Sequence, residues 1–297
     1  MHNLFEESDL SNLPIECFYY TSVQHPFPVR PHWHYFMELI CMLEGNAEMQ
    51  ADGRSYLLSG GEMILFHPQS VHAIFPVDAQ PVRYAVIKLD INRMRMSSRY
   101  SPKLRSIFKS AEKKGMQICF PAEIAASMQA REIFESCIRE MQVQQYGFDL
   151  MIRSELYKLL TRILRTWQQQ GFIVDSDAFA EDSRYDVFSI TEYIDANMER
   201  NIRVADVAAL CGMSYSYFAK KFLAIYGKTC KEYIEEMRIY KAEEFLIFTD
   251  FDLTYISQET GFSDCSHMIR CFKKRKGITP KQFRLQRSKP VSLSKSK

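Results

Sequence analysis

The last third of the chain carries one pattern of apolar, glycine and basic positions twice. The first copy spans residues 204–233 and the second spans residues 253–283. The offset between copies is 49 at the internal glycines Gly212 and Gly261, and 50 at Gly227 and Gly277. One extra residue therefore lies in the turn of the second copy. A match that stays in step over this length predicts an internal duplication.

Each copy has the pattern expected of two helices joined by a tight turn. A short apolar helix is followed by the internal glycine, which permits a left-handed backbone conformation. Ser214 in the first copy, and Ser263 or Asp264 in the second, can cap the next helix. That helix places an apolar pair at i and i+4 toward the core and leaves a polar face outward. The inward pairs are Phe218 with Phe222 and Met268 with Phe272.

The segment between the two copies predicts a single long helix. No Gly or Pro occurs from Lys231 to Phe248, and the apolar residues follow a helical stripe. At 1.5 Å per residue this helix spans roughly 25 Å, so it would separate the two helix pairs by most of its length.

Residues 15–90 show a different pattern, with apolar positions that alternate with a period of two between closely spaced turns. Such spacing is typical of an antiparallel sandwich or barrel. The predicted strands are Tyr35–Leu43, Ala47–Gln50, Arg54–Leu58, Met63–His67, Val71–Phe75 and Val82–Leu89.

Two helices are predicted between these regions, from Pro121 to about Gln145 and from Phe148 to about Gln169. The apolar stripe of the second helix is continuous from Leu156 to Trp167. Two alternatives explain it: packing against the barrel, or a dimer interface. The polar, acid-rich segment 171–186 is predicted to be an interdomain linker.

Charge differs between the two halves, although the whole chain is nearly neutral at +2. Residues 1–184 carry 19 basic and 22 acidic side chains, whereas residues 185–297 carry 19 and 14. From Gly261 onward there are 11 basic residues and one acidic residue, Asp264. Cations clustered along and after a helix with an exposed polar face are suited to contacts with the phosphates of a nucleic acid, and the polar face itself could enter a major groove.

Eight scattered cysteines without a C-x-x-C pair indicate reduced intracellular thiols. No signal-peptide pattern follows Met1, and no apolar run reaches transmembrane length. We therefore expect a cytoplasmic protein without a membrane partner.

The segment from about 190 to 287 resembles the DNA-binding domain of the AraC/XylS family of bacterial transcription regulators. The resemblance is carried in the second copy by Gly261-Phe262-Ser263-Asp264, by Arg270-Cys271-Phe272-Lys273-Lys274 and by Gly277-Ile278-Thr279-Pro280. It implies two helix-turn-helix units that read successive major-groove segments of double-stranded DNA. The DNA-binding candidates are Ser214, Ser216, Ala219, Lys220, Cys265, Ser266, His267, Arg270, Lys273 and Lys274, with Arg270 suited to guanine.

In the predicted barrel, His32-x-His34-x3-Glu38 followed by His72 resembles the metal-site signature of cupins. The first three residues share strand parity, so they would face one side if the strand ran unbroken. Departures from the cupin enzyme pattern, such as His67 in place of a proline, favour an effector pocket without a cofactor. A divalent transition metal on His32, His34, Glu38 and His72 is the alternative. Trp33 and Tyr56 are candidate stacking platforms for the effector.

The expected architecture is α+β multidomain, with a cupin-like antiparallel β-barrel, a helical connector and an all-α double helix-turn-helix domain. The expected function is that of a non-enzymatic regulator whose effector, by family analogy a sugar, occupies the barrel. A homodimer is expected, as is RNA polymerase as a partner if the protein activates. The alternatives are a cupin-type metal-dependent enzyme or metal sensor fused to a DNA-binding domain, and a constitutive architectural binder.

The expected boundaries are 1–100 for the barrel, 101–170 for the connector with candidate dimerisation helices, 171–186 for the linker, 187–288 for the DNA-binding domain and 289–297 for a basic tail.

Overall fold

The structure is a computed structural model that describes residues 15–94, 103–174, 187, 190–200 and 202–287. The described residues form two compact units, one up to residue 174 and one from residue 187 onward. The predicted linker, apart from its first four residues, and the predicted basic tail lie outside the described residues. The domain boundaries drawn from the sequence therefore remain predictions.

The first unit contains two antiparallel sheets that face each other. The order of strands is β1-β8-β3-β6-β9 in the five-stranded sheet and β2-β7-β4-β5 in the four-stranded sheet. This agrees with the expected cupin-like antiparallel architecture, but the described strands pair into two separate sheets rather than a closed barrel. The strands are β1 Ile15–Thr21, β2 Val29–His32, β3 Met37–Glu44, β4 Asn46–Ala51, β5 Arg54–Ser59, β6 Met63–Phe66, β7 His72–Pro76, β8 Arg83–Leu89 and β9 Cys119–Phe120.

Alternation along the strands builds two cores from the five-stranded sheet. On β3, Ile40 and Met42 point into the space between the sheets, where they pack with Met49 and Ile74 of the opposite sheet. The intervening residues, such as Leu39, point to the other face and pack against helices. Because both faces are covered, β3 is buried along nearly its whole length.

Four helices cover the outer face of the five-stranded sheet. They are α1 Leu104–Lys113, α2 Ala122–Ser127, α3 Ala130–Val143 and α4 Phe148–Gln169. The single helix predicted from Pro121 to Gln145 is wrong in one respect, because Gln129 adopts a left-handed conformation (φ 51°) that divides it into α2 and α3. The apolar stripe of α4 is buried within the unit, with Leu156 and Trp167 fully enclosed. Packing against the sheet therefore accounts for that stripe, and the dimer interface offered as its alternative explanation does not.

The second unit is helical and repeats itself as the sequence predicts. The helices that follow α4 are α5 Ile190–Asn197, α6 Val204–Leu210, α7 Tyr215–Tyr226, α8 Cys230–Phe248, α9 Leu253–Glu259, α10 Cys265–Lys276 and α11 Pro280–Arg287. The helices α6 and α9 have seven residues each, and α7 and α10 have twelve each. Gly227 and Gly277 end α7 and α10 in the same left-handed conformation. The duplication therefore extends from sequence to backbone geometry.

The connecting helix α8 takes part in the cores of both repeats. In its first half, Tyr233 packs edge-on against Phe222 of α7, with ring centroids 5.7 Å apart. In its second half, Ala242 and Leu246 are buried against Met268 of α10. A capping box between Thr229 and Glu232 fixes where this helix begins.

The predicted strands agree with the observed ones to within two residues at each end. Three described strands are not among those predicted: β1 and β2, which precede the first predicted strand, and β9, which is only two residues long. In the parts of the chain that the structure describes, no helix is both long enough and apolar enough to cross a bilayer.

The two internal glycines provide a matched test of packing in the second unit. Both have positive φ, 64° at Gly212 and 78° at Gly261. A Cβ at Gly261 would lie 2.1 Å from the carbonyl oxygen of Met198, which accepts a hydrogen bond from Arg238, whereas a Cβ at Gly212 would meet nothing within 4 Å. We expect Gly212→Ala to lower the free energy of unfolding by about 1 kcal/mol and Gly261→Ala by about 3 kcal/mol.

The measurement is denaturant unfolding of the full chain, followed through the helical signal. Equal destabilisation by the two substitutions would contradict the close approach of Met198, which directly follows α5, to the turn at Gly261.

Candidate nucleic-acid interface and ligand site

The outer face of α10 carries most of the predicted DNA-binding residues of the second repeat. Ser266, Arg270, Lys273 and Lys274 are exposed and follow one another at helical spacing. The opposite face is anchored by the fully buried Met268 and Phe272. A helix held by an apolar face with cations on its free face is suited to the major groove, where guanidinium and ammonium groups meet bases and phosphates.

The corresponding face of α7 is less charged. Ser216 and Lys220 are exposed at the positions equivalent to Ser266 and Arg270, and Ala219 is half-buried beside them. Further along, Leu223 is exposed where α10 has Lys273. The last turn of α7 contains no basic residue, whereas that of α10 contains four. The two repeats therefore present unequal surfaces.

Side-chain caps orient the first turn of each reading helix. The hydroxyl of Ser214 accepts a hydrogen bond from the backbone N–H of Tyr217. Of the two predicted capping residues of α10, Asp264 is the one that caps, because it accepts from the backbone N–H of His267 at 2.7 Å. Cys265 is half-buried in the first turn of α10. A capped first turn holds the base-reading positions in a single orientation.

In the first unit, polar side chains gather at one end of the space between the sheets. Glu38 lies in register with Lys88 on β8, and His32 with His72 across β2 and β7. The Oε2 atom of Glu38 is 2.8 Å from Nε2 of His34 and 3.3 Å from Nε2 of His72. The ring of His32 lies against that of His72, with centroids 4.3 Å apart. The structure thus brings together the four residues of the predicted His/Glu set.

Their convergence has a different cause from the one predicted. The strand is not continuous from His32 to Glu38, because β2 ends at His32 and β3 begins at Met37. The chain crosses from one sheet to the other between them. His32 and Glu38 therefore meet across the gap between two sheets, and shared parity on one strand is not the reason.

Backbone carbonyls orient all three histidine rings. Nδ1 of His32 is 2.9 Å from the carbonyl oxygen of Arg30, Nδ1 of His34 is 3.0 Å from that of Phe36, and Nδ1 of His72 is 2.9 Å from that of Ser70. A carbonyl oxygen can only accept, so each Nδ1 carries the hydrogen. The Nε2 atoms of His34 and His72 therefore face the Glu38 carboxylate with positions that are set by the backbone.

The charged groups of the cluster stabilise one another's charged forms, although all of them are buried. Burial alone raises the pKa of the Glu38 carboxyl, but the charge of Lys88 and the hydrogen bonds of His34 and His72 outweigh it and hold that pKa well below its ordinary value. Burial lowers the pKa of His72, but its hydrogen bond and ion pair with Glu38 more than compensate and raise it. The folded protein therefore favours a carboxylate beside a protonated imidazole.

Lys88 belongs to this cluster and was not among the predicted site residues. Its Nζ atom lies 3.8 Å from Oε2 of Glu38, and the side chain is nearly buried. The signal for it was a lysine on the inward face of β8, where the other positions, Tyr84 and Val86, are apolar. His67 is also buried, without a hydrogen-bond partner for either ring nitrogen, and burial lowers its pKa to about 4.

The two predicted stacking residues lie at different distances from the cluster. Trp33 directly follows His32 and meets the ring of Tyr35 edge-on, with centroids 5.1 Å apart. Tyr56 lies on the inner face of the four-stranded sheet, in register with Met49, and packs against the apolar cluster between the sheets. Tyr56 is thus next to the apolar part of the interior rather than its polar end.

A sandwich with a buried polar end and a duplicated helix-turn-helix unit define a DNA-binding regulator with a ligand-binding domain. Comparison with known families agrees, since residues 12–160 match the AraC-like ligand-binding domain and residues 207–286 match a helix-turn-helix domain. The chain belongs to the AraC family of transcription regulators.

Relatives of similar length are regulators as well. The HTH-type transcriptional regulator YbfI of Bacillus subtilis (strain 168) is 24% identical, and the match covers 86% of this chain and 86% of that protein. The Msm operon regulatory protein of Streptococcus mutans is 22% identical, with 95% and 96% covered. Among solved structures, the DNA-binding domain of AdpA in complex with a target DNA is similar to part of this chain. It is 18% identical, the match covers 34% of this chain and 93% of the AdpA chain, and the TM-score is 0.33.

The buried ion pairs of Glu38 predict a pH dependence of stability. Because the pKa of Glu38 is lowered in the folded protein, its contribution is present above its ordinary value of 4.5 and is lost as the pH falls through the folded value. Because the pKa of His72 is raised, its contribution is present below 6.5 and is lost as the pH rises through the folded value. We expect Glu38→Gln to lower the free energy of unfolding by about 3 kcal/mol between pH 4.5 and pH 6.5. The substitution should also reduce both the loss of stability at lower pH and the loss at higher pH.

Denaturant midpoints of the first unit across this pH range measure the effect. The control is Glu44→Gln, which removes an exposed ion pair with Arg83 and should change little. An unchanged pH profile in Glu38→Gln would contradict the electrostatic role of the cluster.

Proposed function

We propose that the protein is an effector-responsive regulator that binds specific operator DNA through α7 and α10. The observation that carries this proposal is the duplicated pair of capped helices, each anchored by an apolar face and exposed on the other. The outer faces would lie in successive major-groove segments. In this arrangement, Lys273 and Lys274 contact phosphates, and Arg270 reads a base edge.

We propose the polar end of the sandwich as the effector site. His32, His34, Glu38 and His72 offer oriented hydrogen-bonding groups, with the ring of Trp33 beside them. Tyr56 offers a second ring on the apolar side of the interior, against which a ligand that extends between the sheets would stack. Alternating donors and acceptors beside aromatic rings suit a polyhydroxylated ligand, so a sugar is our proposed effector class. No cofactor is required for this function.

The effector would act by shifting a conformational equilibrium. A ligand changes operator affinity only if it binds one state of the protein more tightly than the other. Glu38 lies on β3, and the neighbouring residues Met37 and Leu39 point to the opposite face, into the core shared with the helices. A shift of Glu38 on effector binding would therefore alter the packing beneath α3 and α4.

A metal-dependent sensor is the second candidate for the same cluster. Three imidazole nitrogens and one carboxylate oxygen, all within 4.8 Å of one another, form a donor set that zinc, iron or manganese accepts. The three backbone-bound Nδ1 atoms favour it, since metal-binding histidines commonly donate their other N–H in this way. Lys88 opposes it, because its ammonium group already neutralises Glu38.

The assembly and cellular context of the regulator are also part of the proposal. We propose a homodimer in the cytoplasm, with RNA polymerase as an additional partner if the protein activates transcription. Exposed apolar residues where α3 is joined to α4, namely Val143, Tyr146, Leu150 and Met151, support a protein contact there.

Removal of the Arg270 guanidinium tests the assignment of α10 as a base reader. We expect Arg270→Ala to weaken binding to a duplex selected from random DNA by about 1–3 kcal/mol and to relax the preference at one base pair, because a bidentate contact is lost. Gel-shift titrations of the full chain against the selected duplex and its single-base variants measure both effects.

The matched control is Lys273→Ala, which removes a cation one turn further along the same exposed face. It should weaken binding to all variants alike and reduce the salt dependence. Unchanged affinity and unchanged base preference in Arg270→Ala would overturn the assignment.

Elemental analysis of the purified full chain, together with a thermal-shift screen of sugars, separates the two candidates for the cluster. If the cluster binds metal, bound metal should decrease in His32→Ala but not in His25→Ala, an exposed histidine outside the cluster. If the cluster binds an effector, one ligand class should raise the melting temperature of the wild type and of His25→Ala, but not that of His32→Ala. The absence of both results would overturn both proposals for this site.

A further inference from the structure

A second group of metal-binding side chains lies in the second unit, between α8 and α10. Glu235 is on α8, and His267 and Cys271 are one turn apart on the facing side of α10. The ligand atoms of all three lie within 4.8 Å of one another, and Nε2 of His267 is 3.9 Å from Oε1 of Glu235. Each of the three residues is half-buried.

The ring of His267 is held in the orientation that such a site needs. Its Nδ1 atom is 3.3 Å from the hydroxyl of Ser263, and its ring meets Phe262 edge-on with centroids 5.4 Å apart. These two contacts leave Nε2 directed at Glu235. A polar partner on the second ring nitrogen is a common feature of metal-binding histidines.

We propose that Glu235, His267 and Cys271 bind a zinc ion. Thiolate, imidazole and carboxylate ligands together match the borderline softness of zinc, and three protein ligands leave its fourth position to water. Ligand atoms in a tetrahedral zinc site lie roughly 3.3–3.8 Å apart, given bonds of about 2.0–2.3 Å. The observed limit of 4.8 Å exceeds these separations by about 1–1.5 Å, an adjustment of the size that side-chain rotations supply.

The surroundings allow an ion to enter and to be neutralised. Glu235 and Cys271 line a cavity of about 340 Å³ between the two repeats, which gives room for the water ligand. A carboxylate and a thiolate together balance the charge of a zinc ion. Lys231 lies 4.0 Å from Oε1 of Glu235 and Lys274 also lines the cavity, but both side chains are exposed and can turn into solvent when the ion binds. Lys228 and Arg275 line it too, and both pair with the buried Glu236.

Zinc at this position would link metal binding to the recognition of DNA. The ion would cross-link α10 to α8 and hold His267, a proposed base-edge residue, on the side of α8. Without zinc, the ring of His267 could turn away from α8 toward DNA, whereas zinc would fix it in its present orientation. This second step rests on the proposed function of α10, but the binding of zinc does not.

Cobalt titration of the reduced full chain tests the site directly. Cobalt bound by a thiolate has a near-ultraviolet charge-transfer absorption, and the His/Glu cluster of the first unit offers no thiolate. We expect this absorption in the wild type, its loss on addition of zinc and its absence in Cys271→Ser. Cys265→Ser, which alters a half-buried cysteine outside the cluster on the same helix, should retain it.

Loss of a second ligand checks that the site has three. His267→Gln and Glu235→Gln should each weaken zinc binding at least about tenfold in competition with a chromogenic chelator, while circular dichroism confirms that the helices remain folded. No thiolate absorption, or absorption that persists in Cys271→Ser, would overturn the metal site.

The link to DNA has a separate test. Zinc should weaken binding of the wild type to its selected duplex at least about tenfold and should leave the affinity of Cys271→Ser unchanged. A cobalt site in the absence of this change would overturn the link to DNA, and failure of the wild type to bind any duplex without metal would count against the proposed function instead.

Discussion

The arrangement of the DNA-binding half depends on one helix that completes two small cores. Neither repeat encloses its apolar residues alone: Tyr233 of α8 closes the first core against Phe222, and Leu246 closes the second against Met268. Between these contacts the buried carboxylate of Glu236 pairs with Lys228, which follows α7, and with Arg275 of α10. A 19-residue helix is about 28 Å long, and because both cores are built on this one helix, it sets how far apart the two reading helices lie.

The two repeats do not present equal surfaces to DNA. The repeats share helix lengths, terminal glycines and capping positions, which are the features that shape the backbone. They differ on the exposed faces, where α10 carries Arg270 and a run of lysines and α7 carries Lys220 and Leu223. Backbone-forming residues are constrained by packing in both copies, whereas exposed residues are free to diverge. Binding energy and base discrimination are therefore expected to come mainly from the second repeat.

In the first unit, a single strand connects the polar cluster to the helical layer. Glu38 faces the gap between the sheets, while Met37 and Leu39 on either side of it face the core beneath the helices. A buried carboxylate that is satisfied by two imidazoles and an ammonium group is sensitive to any ligand that exchanges one of these partners. In the proposed mechanism, the period-two geometry of β3 would pass such a change to the opposite face of the sheet, because the two faces share one backbone.

Local patterns along the chain determine much of this protein. Alternation defines most of the strands, and the doubled glycine, cap and apolar positions define the helix-turn-helix pairs, because these features depend on residues close together in the chain. The spacing of His32, His34, Glu38 and His72 also identifies residues that do meet. Only the tertiary structure decides how they meet, since His32 and Glu38 come from different sheets, and only it adds Lys88 and the group formed by Glu235, His267 and Cys271. Contacts between elements distant in sequence depend on how sheets and helices pack, and a pattern of neighbouring residues does not specify that packing.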